Sequence, residues 1–220
     1  MTLIDRSALL NHFRAALSDL PLIAILRGVQ PAEAPDIGRA LARAGFRLIE
    51  VPLNSPDPLV TIRALRQTLP DCLIGAGTVL DTAQVREVCD AGGCLVVSPN
   101  FDAEVVACAR HRGAIAMPGV ATPTEAFAAL RAGADALKVF PAEAISPAVL
   151  RAWRATLPAG TRLMPVGGIT PARMADYVAA SADGFGLGSA LYKPGISVAQ
   201  VKANALAFVR AWTSRHAAPP

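Results

Sequence analysis

Lysine is scarce in this chain: three residues among 220, against eighteen arginines. Histidine and cysteine are scarce too, with three and four. The cysteines (Cys72, Cys89, Cys94, Cys108) form no Cys-x-x-Cys pair and have no histidine at zinc-ligand spacing, which leaves buried, reduced thiols as the reading and no metal site. No apolar run approaches the roughly 18 residues that suggest a membrane span. The opening segment MTLIDRSALLNHFRAALSDL interrupts its apolar residues with Asp, Arg and His, so it lacks a secretory core. Aromatics make up 5%, and the arginines behind the net charge of +4 are scattered rather than gathered in a stripe, which excludes a nucleic-acid-binding face. The expectation is a cytoplasmic protein with neither membrane nor nucleic acid as partner.

What is plentiful is apolar sequence, 53% of residues, with only 17% charged. It comes as eight short runs: 22–28, 48–54, 73–80, 95–100, 114–120, 136–142, 162–169 and 184–191. They recur every 20–25 residues or so, the length of a strand–helix unit. Helix starts lie between them. In TPTEAFAALRAG, Thr122 is placed as a cap, followed by Pro123 and, three residues on, Glu125; Asp81 opens DTAQVREVCDAGG. Gly45, Gly92, Gly113 and Gly133 punctuate helix exits. Strands apolar on both faces imply a parallel sheet covered on both sides. The expected fold is α/β: a single (β/α)8 TIM barrel domain over residues 1–220, with the barrel at about 21–213 and an extra N-terminal helix at about 5–18. That helix would bury Leu9, Leu10, Phe13, Ala16 and Leu17. An open doubly wound sheet is the structural alternative, and the terminal SRHAAPP reads as a disordered tail.

In such a barrel, chemistry gathers where strands end. Glu50 and Lys138 are the ionisable groups set most deeply within these runs, whereas Lys193 lies in a polar loop and Lys202 on a helix surface. Two readings are open. They are a self-neutralising buried pair, or an amine kept uncharged for nucleophilic attack beside a carboxylate that shuttles protons. Stability alone is a poor reason to bury such a pair, which favours the second. Glycines at the ends of the seventh and eighth runs, VGGIT and GLGSAL, serve either bare turn geometry or the close approach of backbone N–H groups to a phosphate.

The ordered segments AILRG, IEVPLNSP, GAGTVL, SPN, LKVFPA, VGGITP and GLGSALY, over residues 20–195, resemble the small class I aldolases that cleave 2-keto-3-deoxy-6-phospho sugar acids. The resemblance implies that Lys138 forms a Schiff base with the substrate's C2 carbonyl and that Glu50 moves protons. It implies that Thr78 and Arg27 hold the pyruvate carboxylate, and that Gly167, Gly168, Gly188 and Ser189 cradle the phosphate. Asn54, within the Pro-Leu-Asn-Ser segment, and Val166 are similar to the galactonate-cleaving branch. The products would be pyruvate and D-glyceraldehyde 3-phosphate, with no cofactor or metal and a homotrimeric assembly. The gluconate epimer, an unphosphorylated acid such as 4-hydroxy-2-oxoglutarate, and a non-catalytic phospho-sugar binder are the alternatives.

Overall fold

The computed structural model describes residues 5–214; residues 215–220 of the terminal SRHAAPP, His216 among them, lie outside these. Helix α1 (Arg6–Asp19) is capped by Asp5, whose carboxylate accepts from the N–H groups of Ser7 and Ala8. Strands and helices then alternate: β1 (Leu22–Ile25), α2 (Ala34–Arg43), β2 (Leu48–Pro52), α3 (Pro58–Thr68), β3 (Leu73–Gly77), α4 (Thr82–Asp90), β4 (Leu95–Val97) and α5 (Ala103–His111). The second half runs β5 (Ile115–Met117), β6 (Gly119–Val120), α6 (Pro123–Ala132), β7 (Leu137–Val139), α7 (Pro147–Thr156), β8 (Leu163–Pro165), α8 (Pro171–Ala179), β9 (Phe185–Leu187) and α9 (Val198–Thr213).

The capping signals act as the residue types require. Thr122 and Glu125 form a reciprocal capping box at α6, and Asp81 accepts from the Gln84 N–H at 2.8 Å. The four exit glycines all have positive φ, from 80° to 106°.

All strand pairs are parallel, in a curled α/β arrangement of two ladders. One has six strands in the order β5-β4-β3-β2-β1-β9; the other has three, β6-β7-β8. The fifth apolar run, expected as one strand, is divided at Pro118, which has no N–H to give to a ladder. Backbone bonds nevertheless cross both seams. The Asp135 and Lys138 N–H groups donate to Ala116 and Pro118 at 2.9 and 3.0 Å. The Asp183 N–H donates to Leu163 at 2.9 Å, and Val166 bridges Gly186.

Side chains alternate along each strand. Ile49, Val51, Leu137, Val139 and Leu163 join the cluster packed under the helices. Ile23, Leu48, Leu73, Leu95, Ile115 and Met164 face the inside of the curl, where Leu9, Phe13, Ala16 and Leu17 of α1 cover them. Leu10 is only partly buried at the edge of that face. Arg6 fastens α1 through the Asp135 carboxylate at 2.7 Å. These inward residues stand mostly at strand starts, so α1 closes that end and leaves the strand ends open.

Candidate active site

The same alternation aims Glu50, the third residue of β2, and Lys138, the middle residue of β7, into the curl above this apolar plug. Both are buried, at 1% and 5% exposure. Space for the Glu50 carboxylate comes from β3, because a methyl group on Gly77 would lie 2.0 Å from Glu50 Oε2. That oxygen is buried without a hydrogen-bond partner. Burial pushes the Glu50 carboxyl up to about 7, against the opposing pull of Lys138, Arg27 and the Gly77 N–H. Burial likewise holds the Lys138 ammonium below its ordinary value; Glu50 favours its charge and Arg27 opposes it. The Lys138 Nζ stands 4.8 Å from the centre of the Phe140 ring, a face that favours a cation there. Burial thus disfavours the charged form of both groups, while each favours the charge of the other.

A cavity of about 490 Å³ opens among the strand-end loops. Arg27, Thr78, Lys138, Val166, Gly167, Gly168, Gly188 and Ser189 all line it. Eight of the ten residues singled out in the sequence are therefore brought together on one wall or another. Glu50 does not line the cavity but interacts electrostatically with Lys138 and Arg27, which do, and Asn54 reaches it through Arg27, whose Nη1 donates to Asn54 Oδ1 at 2.6 Å. Thr78 holds a φ of 57°, a left-handed conformation that costs a non-glycine residue about 1–2 kcal/mol, and such strain clusters at functional sites.

At the glycine-rich end, Gly167 and Gly168 have positive φ, at 111° and 58°. Gly188 has no such conformation, and a methyl group placed there would meet nothing within 4 Å. Open space, rather than the backbone, is what Gly188 provides.

Sequence reasoning missed Tyr192, Lys193 and Glu143, which also line the cavity. Tyr192 follows GLGSAL directly, and its hydroxyl donates to Glu33 Oε1 at 2.7 Å, tying the loop after β9 to the loop after β1. Lys193, read as a loop lysine, is indeed in a loop, but one that borders the cavity. Glu143 stands five residues after Lys138 in the loop that β7 feeds, a position where a carboxylate could have been flagged.

Residues 13–207 match the model of the aldolase family described as KDPG and KHG aldolase. The chain is 50% identical over 193 residues to a probable 2-dehydro-3-deoxy-6-phosphogalactonate aldolase of Rhizobium meliloti, covering 87% of this chain and 91% of that one. It is 46% identical to the 2-dehydro-3-deoxy-6-phosphogalactonate aldolase of Escherichia coli, covering 88% and 95%. A solved structure described as native KDPGal superposes with a TM-score of 0.89 at 45% identity, over 90% of this chain and 97% of that one.

Proposed function

The chain belongs to the KDPG and KHG aldolase family, a family of carbon–carbon lyases, and on that premise we propose that it cleaves 2-dehydro-3-deoxy-6-phosphogalactonate to pyruvate and D-glyceraldehyde 3-phosphate through an imine on Lys138. The observation that carries this reading is the buried Glu50–Lys138 pair at a cavity whose far end is built of glycines. Neutral Lys138 attacks C2 of the substrate, and loss of water gives the protonated imine. Glu50, relayed by a water, takes the proton of the C4 hydroxyl. The C3–C4 electrons flow into the imine as the aldehyde leaves, giving an enamine. Glu50 returns the proton to C3, and water releases pyruvate and the free amine.

Arg27 and Thr78 hold the carboxylate end. Gly167, Gly168, Gly188 and Ser189 receive the phosphate, with the start of α8 adding backbone N–H donors. Asn54, hydrogen-bonded to Arg27, and Val166 select the C4 configuration. The single domain takes the form of a closed eight-stranded barrel, with β5 and β6 as one strand bent at Pro118; the bonds across both seams support this. It works as a homotrimer in the cytoplasm. That compartment suits its four free thiols and a substrate too charged to leave the cell unaided.

Turnover of the two C4 epimers tests the substrate. The galactonate compound should be cleaved with at least about tenfold higher kcat/KM, a difference of about 1.4 kcal/mol. The reverse order would move the assignment to the gluconate epimer and leave the imine chemistry standing.

A further inference from the structure

The glycine pair assigned to the phosphate is already faced by a side chain. A methyl group at Gly167 would lie 2.2 Å from Glu143 Oε2, and one at Gly168 would lie 2.8 Å from Glu143 Cγ. The Glu143 side chain thus lies along both glycines, in the space their missing side chains leave. The loop that carries it is held on both sides. The buried Tyr177 hydroxyl donates to the carbonyls of Ala142 and Ile145 at 2.6 and 3.0 Å, on either side of Glu143. The Ala142 N–H donates to Val166 at 2.8 Å, which ties this loop to the residue preceding the glycine pair.

Arg173, which also approaches Gly168, donates to the Gly168 carbonyl at 2.8 Å and packs its guanidinium 5.9 Å from the Tyr177 ring. No ion pair joins Arg173 to Glu143 among the described residues. A carboxylate with no ion pair to Arg173 among the described residues therefore stands at the place where an anionic substrate end is to bind.

Resting on the phosphate reading above, we propose that Glu143 is an affinity-limiting counter-charge of the phosphate cradle. Its carboxylate opposes the phosphate held by Gly167, Gly168, Gly188 and Ser189, weakens binding of the phosphorylated substrate and aldehyde product, and so hastens product release. The backbone cradle supplies the attraction and the shape. Glu143 sets how tightly the phosphate is kept.

Inorganic phosphate is the probe, titrated by calorimetry into wild type, Glu143→Gln and Glu143→Asp. Unit charges about 4 Å apart in a water-like medium repel enough to change binding about fivefold. The Gln variant, nearly the same shape without the charge, should bind phosphate about fivefold more tightly, and it should lower KM for the phosphorylated substrate. The Asp variant, which keeps the charge, should stay nearer wild type. Added salt should narrow the gap between Gln and wild type. Unchanged or weaker binding by Glu143→Gln would overturn the proposal and mark Glu143 as a structural or hydrogen-bonding member of the loop. Failure of wild type to trap pyruvate on Lys138 would sink the aldolase reading separately, because the charge effect on phosphate binding is read without catalysis.

Discussion

Glu50 and Lys138 are held where burial penalises the charge of each and their mutual attraction restores part of it. The folded chain keeps the Glu50 proton up to about pH 7, whereas an unfolded chain releases it near 4.5. Between those values the folded state binds the extra proton, so stability falls as pH rises through the window. Glu50→Gln removes that loss. Its stability relative to wild type should increase by about 1–3 kcal/mol between pH 4.5 and pH 8, read by urea unfolding, while kcat drops about 10²- to 10⁴-fold. A stability difference that does not change with pH would contradict the buried, raised carboxyl. Both residues were legible in the sequence because ionisable groups within apolar runs are conspicuous. Gly77 was legible only as a strand-end glycine. That it yields space to Glu50 Oε2 depends on the β2–β3 register, in which Pro52 stands opposite Gly77, and register is a tertiary fact.

Among the elements, the strand-end loops line the cavity. The loops after β8 and β9 supply glycines of different kinds. Gly167 and Gly168 are required by their backbone, whereas Gly188 is not. Gly188→Ala should therefore leave unfolding stability within about 0.5 kcal/mol of wild type. It should weaken phosphate binding about tenfold or more, by placing a methyl group in the ligand's space and breaking a close contact worth on the order of 1–2 kcal/mol. Unaltered binding in that variant would remove Gly188 from the cradle. Helix caps and strand runs were readable because their signals are local: Thr122 with Glu125, or Asp81 before Gln84. The break at Pro118 was less so, because a proline ends a ladder only where its neighbour needs the missing N–H. Glu143 and Tyr192 escaped because a loop side chain's direction is set by remote partners, here Tyr177 for the loop around Glu143 and Glu33 for Tyr192.

For the whole molecule, the α/β alternation and the covering helix α1 follow from apolar period and were expected from sequence; the division into two ladders, and the backbone bonds between them, are tertiary facts no pattern reveals. Val60 and Leu80 are nearly half exposed at the start of α3 and in the β3–α4 connection. Light scattering should give three times the 22.8 kDa protomer mass, and a monomer mass would refute the trimer. The scarcity of lysine makes the intact chain its own probe for the central claim. With pyruvate and borohydride, the protein should gain one reduced pyruvyl group, carried on the peptide containing Lys138 and absent from folded Lys138→Ala. An adduct on Lys193 or Lys202 instead, or none on a folded wild-type chain, would contradict imine catalysis at Lys138.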